Sequence, residues 1–200
     1  MIKFYDFLLT VLGPFIRWWG KLHFPFTHKK ITGQDYYNWR DEIAVGTVLL
    51  TKTNGEFSNL INPIPLKHAG IYVGRVKEDN ICYVAEAVGQ GVVLTDLVTF
   101  LTTKDVVVLC HPKFIRNTED FNAKLQTSVL KFVGLPYDYL FQKSGKAFYC
   151  FELAAACLKN VYSELQLNCK EIIKGKRIFD ANTFLDTNFF EVTIDSRTDK

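Results

Sequence analysis

Hydrophobic residues recur at two different spacings along this chain. Between residues 45 and 110 they come in short runs of β-branched and aromatic side chains separated by Gly, Asn and Pro, which is typical of strands joined by turns. From residue 117 onward they recur every three or four positions, which predicts helices. The pattern therefore predicts an α+β fold in which antiparallel strands come before the helices that cover them.

The strand-rich region also predicts how the strands are connected. Two strands flank a short charged segment and form a hairpin, and Asp96 is a residue type that caps helices, here over residues 97–101. A last strand over residues 189–194 is expected at a sheet edge. The other predicted strands cover residues 45–51, 68–73, 81–88, 92–95 and 106–110.

Two longer helices are predicted in the second half of the chain. The first opens at residues 117–120, extends to about Val133 and stops at Gly134. The second begins at Cys150, and three consecutive alanines allow it to pack closely. Its apolar row consists of Phe151, Ala154, Leu158 and Val161.

Cys150 is thereby placed at the N-terminus of the second helix. Unpaired backbone N–H groups and the positive end of the helix dipole favour a thiolate there, and the thiolate is the nucleophilic form of cysteine. Free cysteines are also among the most buried residues, so the position alone leaves a structural thiol open. A nucleophile requires a base nearby.

Two polar residues interrupt the apolar pattern of the predicted hairpin and supply a candidate base. With the hairpin centred on Lys77, His68 lies opposite Glu86 on the same face, with Cβ atoms about 5 Å apart. A carboxylate beside an imidazole orients the ring and stabilises the imidazolium. With Cys150 facing them, the set comprises nucleophile, base and orienting residue. Each residue alone also fits a structural role: His68 that of a hydrogen-bonded histidine within a strand, and Glu86 that of a hydrated carboxylate at a sheet edge. A one-residue slip in strand register would place the two side chains on opposite faces.

Five segments, taken in order, resemble the circularly permuted papain-like amidases of the YiiX/YaeF type, within the NlpC superfamily. They are residues 46–49, 68–74, 85–87, 137–141 and 148–153. The resemblance implies a papain-like (permuted NlpC-type) fold, with the cysteine-bearing helix packed on an antiparallel β-sheet.

The same resemblance implies roles for individual residues. Cys150 is the nucleophile, His68 the base and Glu86 the orienting residue, while Tyr137 lines the substrate side of the cleft. Neither a cofactor nor a metal is implied. Phe151 departs from the family pattern, because relatives usually carry a small hydroxyl residue at that position, and this bears on the substrate.

Composition narrows the class of protein. A chain of 200 residues that is 48% hydrophobic can bury a sizeable core. A net charge of +3, without a cluster of Lys and Arg among aromatics, argues against a nucleic-acid partner. The five cysteines show no CxxC spacing, which argues against a disulfide framework or structural zinc site and favours a reducing compartment.

The chain is expected to divide into an aromatic, partly helical N-terminal extension over residues 1–42 and a hydrolase domain over residues 43–200. The extension begins like a signal peptide, but Asp6 and Gly13-Pro14 interrupt it and Arg17 ends an apolar run too short for a membrane span. Two interpretations stay open: a bent helix that packs on the domain, or a peripheral membrane anchor with its tryptophans at the headgroups.

The sequence thus predicts a cysteine hydrolase that cleaves an amide or related acyl bond through a thioester, with a peptide or acyl-amide substrate. A lipid-directed thiol acyltransferase or acylhydrolase resembling the lecithin:retinol acyltransferase relatives is the first alternative. The aromatic N-terminus favours it, whereas Glu86 weighs against it, because those relatives use a second histidine there. A non-catalytic ligand-binding module is the second alternative.

Overall fold

A computed structural model describes residues 31–54, 65–114, 118–173 and 175–198. The bent helix predicted within residues 1–20 lies outside these described residues, so its packing remains a prediction. Across the described ranges, every helix is too short or too polar to span a lipid bilayer.

The strands and helices that the hydrophobic pattern predicts form in the predicted order. The strands expected between residues 45 and 110 all form, and their ends lie within three residues of the expected ones. The elements are α1 (Gly33–Trp39), a 3-10 helix (Arg40–Glu42), β1 (Val48–Lys52), β2 (His68–Arg75), β3 (Cys82–Val88), β4 (Gly91–Asp96), α2 (Leu97–Thr102), β5 (Val106–Pro112), α3 (Glu119–Leu130), α4 (Cys150–Val161), β6 (Lys170–Ile173), β7 (Lys176–Ile178), α5 (Ala181–Phe184) and β8 (Phe190–Asp195).

Six strands form one antiparallel sheet in the order β4-β3-β2-β1-β5-β8. The strand predicted near the C-terminus does form an edge, beside β5. A second, two-stranded sheet of β6 and β7 was not predicted, because both strands open on charged residues and carry little apolar alternation. The helix α5 that follows it was missed as well.

Helices cover both faces of the six-stranded sheet. Along β1, Val48 and Leu50 face α3 and α4, whereas Leu49 faces α1 and α2. Each fully buried aliphatic side chain of this kind contributes roughly 1.5–3 kcal/mol through removal from water. The cysteine-bearing helix α4 packs through Leu153, Ala154 and their buried neighbours on the same face as α3. The result is the predicted mixture of helices and antiparallel sheet.

The helix ends follow local capping chemistry. The carboxylate of Asp96 accepts a hydrogen bond from the Thr99 N–H at 2.9 Å, so the predicted cap forms. Helix α3 ends at Leu130, and its predicted continuation to Val133 was wrong. The Phe132 N–H bonds the Val129 carbonyl at 2.8 Å, a tighter 3-10-type turn. This turn brings Phe132 against Phe148, with ring centroids 4.6 Å apart.

The segment that leads into the cysteine helix is attached to the edge strand β4. Val92 donates its N–H to the Leu135 carbonyl and accepts from Gly134, both at 2.9 Å. Gly91 makes this approach feasible: its φ is +111°, and a Cβ there would lie 2.4 Å from the Leu135 carbonyl oxygen. The strand edge therefore fixes where residues 136–149 begin.

Candidate active site

Cys150 is the first residue of α4, as predicted, and Tyr149 is the N-cap. The side chain of Tyr149 makes no capping hydrogen bond, because its hydroxyl instead accepts the Phe179 N–H at 2.7 Å. The first-turn N–H groups of α4 consequently surround Cys150 without a side-chain cap from Tyr149. Cys150 is 5% exposed, and its Sγ lies 3.9 Å from the Lys67 carbonyl oxygen.

His68 and Glu86 lie together, although the predicted pairing between them was wrong. Gly70 is the residue opposite Glu86. Beside the turn Arg75 pairs with Cys82, three residues out of the predicted register, and a β-bulge between Tyr72 and Gly74 then inserts an extra residue in β2 and reduces this offset by one. The displacement at Glu86 is two residues, which preserves the face of each side chain. The Nε2 atom of His68 therefore still reaches Oε2 of Glu86, at 2.6 Å.

The electrostatics of this pair favour a protonated imidazole beside an ionised carboxylate. Burial alone would lower the pKa of His68, but hydrogen bonds with Cys150 and Glu86, together with their negative charges, raise it to about 9. Burial would raise the pKa of Glu86, yet the bond to His68, its charge and a bond from Thr95 lower it well below its usual range. The effect of Cys150 on the pKa of His68 places the cysteine side chain beside the imidazole.

Tyr137 lies in the segment that enters the cysteine helix. It forms an isolated bridge with Phe148, and its ring centroid is 4.8 Å from that of Tyr139. Burial and the nearby charge of Cys150 raise the pKa of the Tyr137 phenol. The buried carboxylate of Asp138 holds the next turn by accepting the Leu140 N–H at 2.9 Å. Tyr137 is therefore near the thiol, on a segment that side-chain hydrogen bonds shape.

Two polar residues around the site escaped the sequence analysis. Thr95 donates its hydroxyl to Oε1 of Glu86 at 2.5 Å. The sequence could have indicated this contact, because a tight turn joins β3 and β4 and places Thr95 on the same face as Glu86. Glu152 is 5% exposed; burial and the charge of Asp138 raise its pKa to about 7, and Oε2 has no hydrogen-bond partner among the described residues. No sequence pattern indicated that this helical carboxylate would be buried.

The other cysteines differ from Cys150 in their surroundings. Burial raises the pKa of Cys110 to about 12 and raises that of Cys157 further. The neighbouring His111 contacts the Thr47 hydroxyl at 3.3 Å through Nδ1. Among the described residues, no group of three or more His, Cys, Asp or Glu side chains is arranged to hold a metal ion.

The arrangement is suited to acyl transfer through a thiol. A thiolate at a helix N-terminus, an imidazolium beside it and a carboxylate behind the ring are the parts that nucleophilic catalysis by cysteine requires. The open N–H groups of the first helical turn are donors for a developing oxyanion. These parts come from β2, β3 and α4, three elements that pack into one core.

Comparisons with known proteins identify chains and a family to which this one is similar. The family model described as "Permuted papain-like amidase enzyme, YaeF/YiiX, C92 family" matches residues 42–187. Protein OPG091 of Variola virus and of Vaccinia virus (strain Copenhagen) are each 27% identical over 143 residues, covering 72% of this chain and 79% of the relative. Protein OPG091 of Monkeypox virus is 26% identical over 146 residues.

A solved structure shows the same fold. The crystal structure of metalloprotein yiiX from Escherichia coli O157:H7 superposes with a TM-score of 0.63 at 18% sequence identity. The likeness covers 76% of this chain and 97% of the bacterial one.

Proposed function

The chain belongs to the family of permuted papain-like amidases of the YaeF/YiiX type, and on that premise we propose that it is a cysteine hydrolase acting on an amide or related acyl bond. The observation that carries the proposal is the 2.6 Å contact between His68 and Glu86, with the Cys150 side chain beside the same imidazole. In this proposal Cys150 is the nucleophile, His68 the acid and base, and Glu86 the orienting residue.

Acylation begins with the thiolate of Cys150 and the imidazolium of His68. The sulfur adds to the substrate carbonyl carbon, and the carbonyl oxygen takes up the negative charge. The backbone N–H of Cys150 donates to this oxyanion, a type of contact whose removal typically slows catalysis about 10²–10³-fold. As the oxyanion collapses, the carbon–nitrogen bond breaks and His68 gives its proton to the leaving amine. A thioester on Cys150 remains.

Deacylation uses the imidazole that acylation leaves neutral. His68 takes a proton from water while the water oxygen adds to the thioester carbonyl. The second oxyanion collapses with loss of the Cys150 thiolate, which releases the carboxylic acid and restores the ion pair with His68. Glu86 stays ionised throughout, because its role is to orient the ring and stabilise the imidazolium.

Phe151 follows the proposed nucleophile in the sequence, and Tyr137 lies near it in space. We propose that Tyr137 lines the substrate side of the cleft. Phe151 is half-buried, and its ring stacks on Phe184 with centroids 6.4 Å apart. The family's small hydroxyl residue is therefore replaced here by an aromatic ring that packs toward α5. This replacement supports a substrate choice different from that of relatives carrying the small residue.

Mass spectrometry of trapped acyl-enzyme tests the proposal. We expect a panel of peptide and acyl-amide probes to give a thioester adduct on Cys150 in the wild type and none in the Cys150→Ser variant. Adducts only with lipid esters or lipid amides would move the assignment to the lipid-directed enzymes. Probe binding without any adduct would favour a binding module and overturn the hydrolase.

A further inference from the structure

The carboxylate of Glu86 has two oxygens, and only one of them contacts His68. The residue is 7% exposed. Oε2 contacts the imidazole at 2.6 Å, and Oε1 accepts the hydroxyl proton of Thr95 at 2.5 Å. An ionised carboxylate is purely an acceptor, and a buried one requires hydrogen bonds to replace its lost water. The Thr95 hydroxyl meets this requirement on the side away from the imidazole.

Strand register makes His68 and Thr95 equivalent neighbours of Glu86. Strand β3 lies between β2 and β4. The residues directly opposite Glu86 are Gly70 on one side and Val93 on the other. His68 is two positions from Gly70 and Thr95 is two positions from Val93, so both approach from diagonal positions on one face. Diagonal neighbours lie within reach of long side chains such as glutamate.

We propose that Thr95 is a positioning residue that holds the Glu86 carboxylate in the rotamer that orients His68. The inference rests on the proposed function, because a positioned imidazole matters chemically only where Cys150 requires a base. Without the hydroxyl, the carboxylate has one fixed oxygen in place of two and rotates about its terminal bond. The imidazole then loses its alignment with the thiol.

The groups around His68 and Glu86 determine which pKa values should change when Thr95 is replaced. Glu86 faces the His68 imidazole and the Thr95 hydroxyl, and it also feels the positive charge of Lys104. Lys104 lies over the Phe100 ring at 4.9 Å from Nζ to the centroid, and Phe100 lies 6.1 Å from the His68 ring. The imidazole faces Cys150 and Glu86. Thr95 supplies a hydrogen bond that lowers the pKa of Glu86, so its loss weakens the carboxylate's hold on the imidazolium.

Thr95→Val is the sharpest test, because valine keeps the shape of threonine and favours strands but cannot donate a hydrogen bond. Thr95 also lines a cavity of about 810 Å³, together with Tyr36 and Cys82, and valine leaves that cavity unchanged in size. Thr95→Ser restores the hydroxyl. Thr193→Val is the matched control, because the Thr193 hydroxyl on the edge strand β8 has no partner among the described residues.

Two measurements separate positioning from simple packing. NMR titration of His68, which needs no substrate, should give a lower imidazole pKa in Thr95→Val than in the wild type and a wild-type value in Thr95→Ser. With an amide substrate, kcat should fall about tenfold to hundredfold in Thr95→Val, the range expected for one hydrogen bond to a charged group, while KM changes little. Thr193→Val should match the wild type in both measurements.

An unchanged His68 titration in Thr95→Val would overturn the inference, whatever the activity. A loss of activity that Thr95→Ser does not rescue would also overturn it, because packing alone would then explain the loss. Should Thr95→Val not fold, Thr95→Ala removes the same hydroxyl and takes its place in both measurements. Failure to find any hydrolysed amide would count against the proposed function and leave the NMR titration to decide the role of Thr95.

Discussion

The Nε2 atom of His68 lies 2.6 Å from Oε2 of Glu86, although two residues of register separate them from direct opposition. The contact therefore runs diagonally across two strands. Such a contact depends on side-chain length as well as on pairing. A shorter carboxylate at position 86 would not span the diagonal, and for this reason Glu86→Asp is not a conservative change here.

The raised pKa of His68 predicts the alkaline limit of activity. With a pKa of about 9, the imidazole stays protonated across neutral pH and donates to the leaving group. As pH rises through about 9 the proton is lost, so acylation should slow. We expect the alkaline limb of the kcat/KM profile near pH 9. A limb near 6.5, the ordinary histidine value, would mean that the neighbouring negative charges do not stabilise the imidazolium.

Replacing Glu86 by glutamine should move that limb. Glutamine keeps the shape but removes the charge that raises the pKa of His68, so the limb should shift to lower pH. We expect kcat to fall about 10²-fold or more, in the range typical of a disabled acid–base group. Glu191→Gln on the exposed edge strand is the control and should behave as the wild type. Equal profiles for both variants would remove Glu86 from the mechanism.

Cysteine reactivity should be ordered by environment. We expect iodoacetamide to alkylate Cys150 first near neutral pH, because it lies at a helix N-terminus beside His68. Cys110 and Cys157 should react last, because burial raises the pKa of both thiols. Peptide mapping over time gives the order. In His68→Asn the Cys150 rate should drop at least tenfold, and an unchanged rate there would mean a structural cysteine.

Gly91 should be intolerant of a side chain. In Gly91→Ala the Cβ meets the Leu135 carbonyl oxygen at 2.4 Å with φ at +111°, so the segment that carries Tyr137 must move away from β4. We expect a loss of roughly 1–3 kcal/mol in urea unfolding, and a higher KM. Gly33→Ala is the control, because its Cβ meets nothing within 4 Å. Similar unfolding curves for the two variants would show that the attachment at β4 contributes little to the free energy of unfolding.

The N-terminal segment separates the two enzyme classes. Ile31, the first described residue, is buried, and its N–H bonds the Lys104 carbonyl at 2.8 Å. The described part of the chain thus begins beside α2. We expect deletion of residues 1–20 to lower the Tm, at roughly 2–5 kcal/mol for each large buried side chain lost. An unchanged Tm with lost binding to anionic liposomes would favour the membrane anchor and a lipid substrate.

Sequence patterns predicted the parts of the fold that local chemistry determines. The start of α4 at Cys150 and the Asp96 cap follow from residue types within one turn. The register of the β2–β3 hairpin depends on where its turn is centred and on a bulge at Val73, and the residues 76–81 between the strands signal neither. His68 nevertheless lies on the predicted face, because the register at Glu86 differs from the predicted one by an even number of residues. Burial of Glu152 and the role of Thr95 depend on contacts between distant segments, which periodicity does not encode.

The order of the site residues along the chain has a consequence for synthesis. Cys150, the proposed nucleophile, lies 83 positions after the Lys67 carbonyl that it contacts, and the strands that bear His68 and Glu86 are both made before it. A ribosome therefore completes an inert half of the site first. The thiol joins only when α4 docks, and the sheet closes only when β8, near the end of the chain, pairs with β5. Under the proposed mechanism, a chain that ends before α4 lacks the thiol and is incapable of the reaction.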